Sequence, residues 1–430
     1  MNSQQEYGPV KYRWVVVTVF GLMQLVAAFV GIGAASLTQA VADSWGITYT
    51  QCNLCLVASW GVVSMIVGIP AGDWADRVGF KLPSVIGAAI VAAALTARAF
   101  AGSWNLFFGL TVVAAVGAAL LRTSQGTMIR TWFPRSETGK ATGLATALFS
   151  MGVSIGSFTH FRVQQAYGWS MVWLVMGIAS AVSCVVGILF TKNKPEIPPE
   201  PRKPIPQMEG RSEGFFTKVG QVLNVPNRWL LIAQFAIGTG LGQILGLFAA
   251  GLGASGVDPS TIGTTVSLFN LIGIPSSYFV PAVAFQKKRG AATLGVTLIV
   301  SAVTYVTMFM VPMGPDNVWP AMLNTAVAGV FLAPTIAISM SLAFMQPNVT
   351  PANAGTMQAI LSIVMGITSL LMSAVVGGLV DAGGPETAAW AVAGILVVGG
   401  LVALFAIPEP QPEPQPAGKP EKAQAGAGAD

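Results

Sequence analysis

The stretch Gly72-Asp73-Trp74-Ala75-Asp76-Arg77-Val78-Gly79-Phe80-Lys81 is short, charged and rich in glycine, and it separates two long uncharged runs. Before it, no charge interrupts the chain between Asp43 and Asp73; after it, none falls between Lys81 and Arg98. A membrane-spanning helix needs about 20 mostly apolar residues. Each run therefore reads as one span, and the quoted stretch as the loop that joins them.

Working outward, the same reading fits the rest of the chain. The first half holds spans between Arg13 and Asp43, from Asp43 to Asp73, from Lys81 to Gly102, from Trp104 to Thr131, from Ala141 to Ala166 and from Trp169 to Thr191. Residues 192–226 are polar and rich in Pro, Glu, Lys and Arg, which makes them a linker with room for a short interfacial helix near Phe215-Phe216. Spans then resume at 229–252, 259–284 and 290–311. Residues 317–380 carry no charge and are too long for one helix; Gln346-Pro347-Asn348 and Pro351-Ala352-Asn353 divide them, because proline and asparagine mark turns. A last span runs from Thr387 to Ile407, and the Pro/Glu/Ala/Gly-rich tail from Pro408 to Asp430 is expected to be disordered.

Composition agrees. Of 430 residues, 53% are hydrophobic and 9% charged, against roughly 25% charged in an average soluble domain. Mean hydropathy is +0.67. A soluble enzyme, a nucleic-acid binder and a disordered scaffold are excluded. The net charge of +5 follows from Lys and Arg gathered in one set of loops. That set holds Lys11 and Arg13, Arg77 and Lys81, Arg130, Arg135 and Lys140, the linker, and Lys287, Lys288 and Arg289. By the positive-inside rule both termini and the linker are cytoplasmic. The uncharged run after Arg13 is too long for a signal peptide. Cys52, Cys55 and Cys184 are too few for a disulfide framework. Cys52 and Cys55 stand at C-x-x-C spacing, but in an apolar run without further metal ligands, so no metal or cofactor is expected.

Twelve spans in two sets of six, with Gly72-x-x-x-Asp76-Arg77-x-Gly79-x-Lys81 between spans two and three, resemble the major facilitator superfamily. Arg130-Thr131-Trp132-Phe133-Pro134, followed by Gly139-Lys140-Ala141-Thr142-Gly143, is similar to a run found between helices four and five in its small-anion branches, including the oxalate–formate, monocarboxylate and anion–cation symporter groups. The resemblance implies an all-α membrane protein with twelve transmembrane helices in two six-helix pseudo-symmetric bundles, here residues 1–191 and 227–407. It also implies a substrate site at the midplane, reached by rocking of the bundles. Gly72, Asp76, Arg77, Gly79 and Lys81 are then gating residues, the glycines allowing close helix approach. In the second half the matching loop, Phe285-Gln286-Lys287-Lys288-Arg289-Gly290, lacks the acidic residue.

Charges inside the membrane are expensive, which makes them functional candidates. All 17 acidic residues fall in loops, linker, tail or helix ends, which disfavours a cationic substrate. Arg122 lies about 18 residues into span four, roughly 27 Å along its axis at about 1.5 Å per residue. It is read as a guanidinium that forks onto an anion; a structural role, bonding backbone carbonyls, is the competing reading. Gln125 shares its helix face. Gln24, Gln243, Asn270 and Gln358 are further candidates for substrate contact, with inter-helical bonding as the alternative, and Trp60 for stacking or packing. His160, the lone histidine, is a candidate for proton coupling or gating, with a polar helix-end role as the alternative. Arg98 and Arg162, near the far ends of spans three and five, are expected to snorkel to headgroups or water. Arg130 and Glu137 are placed to pair across their loop. Gly152 and Gly156 are expected to serve close helix packing.

These readings converge on a monomeric secondary transporter or exchanger of a small mono- or dicarboxylate in the cytoplasmic membrane, with protons or a counter-transported anion as coupling partners and no nucleic acid. The alternatives are efflux of a neutral or lipophilic solute, or a non-transporting sensor or assembly partner.

Overall fold

The computed structural model describes residues 10–133, 137–197, 215–224, 228–240, 244–311, 314, 316–346 and 354–407. These residues are almost wholly helical. In the first half, α1 runs Arg13–Trp45, α2 covers 49–78, and α3 to α6 are Lys81–Arg98, Trp104–Trp132, Thr138–Tyr167 and Trp169–Phe190. A short linker helix, Phe215–Val222, follows. In the second half, α7 is built from Arg228–Gly240 and Ile244–Ala254, and α8 to α10 are Pro259–Gln286, Gly290–Met310 and Trp319–Phe344. The long element Ala354–Phe405 divides at Gly384, whose φ of 81° no helix accommodates, into α11 (354–383) and α12 (385–405).

The halves pack alike. Gly177 and Gly187 of α6 lie against Thr96 of α3 and Met23 of α1. In the second half, Gly400 and Gly399 of α12 lie against Ile299 of α9 and Ile237 of α7. With little hydrophobic drive between helices in lipid, small residues at the contacts let backbones approach and gain dispersion energy. Gly152 and Gly156 act in this way: a Cβ on Gly152 would stand 2.0 Å from the Leu25 carbonyl oxygen of α1.

The Gly72–Lys81 stretch differs from the loop expected of it. α2 continues through Val78, so Asp73 to Val78 are helical and only Gly79 and Phe80 turn the chain. Gly79 takes a φ of 90°, and the Asn193 side chain stands 2.7 Å from where its Cβ would be. Asn193 accepts from the Lys81 backbone N–H at 2.9 Å through Oδ1 and donates to the Val78 carbonyl at 3.2 Å. It thereby caps both helix ends, α2 and α3, at once. The Lys81 ammonium donates to the Ile188 carbonyl of α6 at 2.8 Å. Among the described residues no neighbour comes within 4 Å of a Cβ on Gly72. The Asp76 side chain lies outside the described residues.

Candidate functional site

Two helix irregularities shape the middle of the molecule. α1 leaves α-geometry at Gly31 (φ −90°, ψ −86°) and continues as a 3-10 turn, Ile32–Leu37. Ser36 and Thr38 hydroxyls donate to the Gly33 and Ala35 carbonyls at 3.0 and 2.8 Å, which satisfies groups that the α-ladder would have used. α2 holds a π turn at Leu54–Ala58, where the Ser59 hydroxyl donates to the Cys55 carbonyl at 2.5 Å. Such turns in membrane helices line cavities or sit against other protein.

Here they border a cavity of about 150 Å³. Gln24, Ala27, Gly31, Ile32 and Ala35 of α1 and Leu56, Val57, Trp60, Gly61 and Ser64 of α2 form most of its wall. α4 adds Ala118 and Arg122, α5 adds Phe149, and α11 adds Met365 and Ser369. Arg122 is the one charged side chain among the described residues of the lining. It is exposed to this space, its Cζ stands 5.3 Å from the centroid of the Phe149 ring, and no described residue forms an ion pair or hydrogen bond with it. Gln24 is 2% exposed, and its Nε2 has no hydrogen-bond partner. The six-membered ring of the Trp60 indole stands beside Gly31, 3.2 Å from where a Cβ would be.

Of the residues singled out in the sequence, the structure brings Arg122, Gln24 and Trp60 together. Gln125 is half-buried, and Asn270 carries a buried Nδ2 without a partner; neither belongs to the lining. Gln243 and the side chains of Gln358 and Arg130 lie outside the described residues. Sequence reasoning did not find Phe149, Ser64 or Ser369. Among the described residues of the lining, α2, α5 and α11 contribute beside α1 and α4, and α7 and α10 do not. The Gly31-Ile32-Gly33 run in mid-span was the available signal for the α1 break.

Two polar residues, Arg98 and His160, stand elsewhere than expected. Arg98 does not snorkel. It is 2% exposed, with its Cζ 4.1 Å from the Phe107 ring centroid and 3.9 Å from that of Trp173, and its Nη1 donates to Thr111 Oγ1 at 3.0 Å. His160 is no helix-end residue in contact with water. It is buried beside Phe29, ring centroids 4.6 Å apart, with the Gly33 backbone of the 3-10 turn next to it. Glu137 takes Arg13 of α1 in a two-pronged pair, Nε and Nη2 at 3.0 and 3.1 Å; the Arg130 side chain, named as its partner across the loop, lies outside the described residues.

The side of the molecule away from the linker is closed by contacts between the bundles. Asp381, at the end of α11, accepts from the backbone N–H of Tyr49 and Thr50 at 2.8 and 3.1 Å and from the Thr50 hydroxyl at 2.5 Å. Its charge thus meets the positive end of α2. Gln165 donates to Asp258 at 2.7 Å, Arg162 to the Thr264 hydroxyl at 2.8 Å, and the Ser154 hydroxyl to the Ser267 carbonyl at 2.9 Å. Hydrogen bonds from the Ser260 hydroxyl and from Gln165 hold the Asp258 carboxyl below the usual carboxylate range. At cavity level α2 and α11 meet through Gly61, where an added Cβ would stand 2.6 Å from Ser369 Cβ.

Two equivalent helix bundles, closed against each other on one face around a central cavity, define a transporter that works by alternating access and not an enzyme. The family model of the Major Facilitator Superfamily matches residues 19–350, and the chain belongs to that superfamily. Over 181 residues, 42% of this chain and 39% of the other, it is 21% identical to the 4-hydroxybenzoate transporter PcaK of Acinetobacter baylyi. Over 138 residues, 32% of this chain and 26% of the other, it is 31% identical to the vesicular acetylcholine transporter of Mus musculus. The chain thus spans well under half the length of these curated relatives. Among solved structures it is similar to the inward-facing, unoccupied form of a bacterial homologue of the human lysosomal transporter Spinster. The TM-score is 0.71 at 17% identity, over 92% of this chain and 94% of that one.

Proposed function

We propose that this chain is a secondary transporter or exchanger of a small organic anion, a mono- or dicarboxylate, and that Arg122 is the group that holds the anion. The working division is residues 1–191 and 227–407 as the two bundles, with 192–226 and 408–430 as cytoplasmic linker and tail. The protein acts as a monomer in the cytoplasmic membrane. With the Lys- and Arg-rich loops inside, the contacts at Asp381 and Asp258 close the outer face, and the cavity faces the cytoplasm.

One observation carries the reading: a guanidinium at membrane depth faces open space and has no described counter-ion. Water in the open cavity solvates it. When the bundles close, that water leaves, and an unpaired buried cation costs several kcal/mol. A bound anion removes that cost, so closure follows loading. The empty carrier closes slowly, which favours exchange over net flux. The similarity to a 4-hydroxybenzoate transporter agrees with an organic acid as cargo. His160 is shut between α1 and α5 in this conformation, so proton linkage runs through it only if these helices part, and otherwise through the substrate's own carboxyl group.

The test is counterflow in proteoliposomes with a panel of labelled carboxylates, neutral solutes and organic cations. Saturable exchange of carboxylates in the wild type, absent in Arg122→Gln, is the expected result. Exchange of a neutral or cationic solute that survives Arg122→Gln would support a lipophilic-solute carrier and overturn the anion reading.

A further inference from the structure

The cavity constrains the body of the substrate as well as its charge. Arg122 is the one cation of the described lining. The second half of the chain supplies no other: residues 290–315, 317–380 and 387–407 contain no charged side chain, and 229–286 contain only Asp258, which lies outside the spans. A dicarboxylate would leave its second charge against an uncharged wall, at a desolvation cost that nothing there offsets. An amino acid would bring an ammonium group to a cavity without a carboxylate to receive it.

The strongest donors of the described lining are the Arg122 guanidinium and the buried, unpartnered Nε2 of Gln24, beside the hydroxyls of Ser64 and Ser369. Both donate, and a single carboxylate accepts from both. Apart from the hydroxyls of Ser64 and Ser369, the rest of the described wall is apolar or aromatic. Phe149 lies beside the guanidinium, at 5.3 Å from Cζ to ring centroid, so an anion on Arg122 has an aromatic face within one ring's length. Trp60 adds a second aromatic ring to the wall, beside Gly31. The volume is about 150 Å³, and an engineered apolar cavity of roughly 150 Å³ takes up benzene.

Resting on the anion reading of Arg122, we infer that the preferred substrate class is the aromatic monocarboxylate: one carboxylate on Arg122 and Gln24, and one planar ring against Phe149 and Trp60. Short aliphatic acids fill the charge site and leave the ring space wet. Dicarboxylates are disfavoured by the uncharged second-half wall, which narrows the proposed class to its monocarboxylate members.

Benzoate, propionate and succinate separate these features when their binding to the purified full-length protein is measured by calorimetry. Benzoate should bind at least about tenfold more tightly than propionate, because it buries a whole ring, and succinate more weakly than either. Phe149→Ala and Trp60→Ala should each bring the benzoate-to-propionate ratio down several-fold while propionate binding persists. Phe149→Leu, which keeps the bulk and loses the ring, covers the case in which Phe149→Ala does not fold. Propionate and succinate binding equally in an Arg122-dependent manner, with no preference for benzoate, would overturn this inference and leave the anion reading standing. Failure of all three acids to bind would overturn both. A benzoate preference unchanged in the Phe149 and Trp60 variants would place the ring elsewhere and overturn the inference alone.

Discussion

Arg98 and Arg122 are both arginines placed within membrane spans of the first bundle, and the structure treats them in opposite ways. Arg98 is enclosed. Two aromatic faces sandwich its guanidinium, one hydroxyl accepts from it, and almost none of its surface is accessible. Arg122 is open, with one ring beside it and a cavity in front. A cation between aromatic faces is stabilised by the ring quadrupoles whatever the transport state. A cation facing a cavity keeps its stabilisation only while water or an anion stands there. The difference between them is access: Arg98, though its Nε and Nη2 also lack partners, is shut away from any ligand, whereas Arg122 is open to one.

The comparison breaks most visibly at the box around Arg98. Trp173→Ala removes a buried ring and leaves the cation half uncovered, and it should destabilise the protein by about 3–5 kcal/mol. A large drop in the detergent melting temperature or in folded yield would show this. Arg98→Met replaces charge by apolar bulk and should cost less, about 1–2 kcal/mol. It should leave anion affinity within about twofold of wild type, since surface-remote changes away from the cavity add independently. A loss of affinity at unchanged stability would show that the enclosed arginine also serves the cavity.

On the open side, Arg122→Lys keeps the charge and loses the fork. It should weaken anion binding roughly tenfold, the worth of one charged hydrogen bond, without moving the melting temperature. An affinity equal to wild type would mean that the guanidinium geometry is not used.

Smaller effects belong to the closed face. Asp381→Asn keeps one acceptor and loses the charge at the start of α2, about 1 kcal/mol. The open population of that face should rise roughly fivefold. The readout is the labelling rate of a single cysteine at Gln39, which lines the vestibule above the contacts. Asp258→Asn should change little, because this contact is exposed. The Asp258 carboxyl is held below its ordinary value. Its contact with Gln165 is therefore fully present above the ordinary carboxylate pKa of about 4 and is lost only as pH falls through the lower folded value. Opening rates should not respond to this group between about pH 5 and 8.

Much of the fold was legible because charge is scarce. Each span announced itself as an uncharged run, and Asn, Pro and Gly marked the breaks. The depth of Arg122 followed from counting along span four. The surroundings of a side chain did not follow, since they come from other helices. Trp173, which covers Arg98, is 75 positions away along the chain, and no local pattern links the two. His160 read as a helix end because hydropathy cannot see that Phe29 and the 3-10 turn of α1 cover it. Phe149, an uncharged residue in an apolar span, carried no signal until the cavity placed it beside the guanidinium. The Arg13 contact to Glu137 was not legible either, because the two stand 124 positions apart and no local pattern links them.

The central claim is that Arg122 holds an anion in the cavity, and benzoate binding to purified wild type and Arg122→Gln tests it most directly. Charge-pair contacts of this kind contribute about 2–5 kcal/mol, so the variant should bind more than about tenfold more weakly with an unchanged melting temperature. Near-wild-type affinity in an Arg122→Gln protein that folds normally would contradict the account.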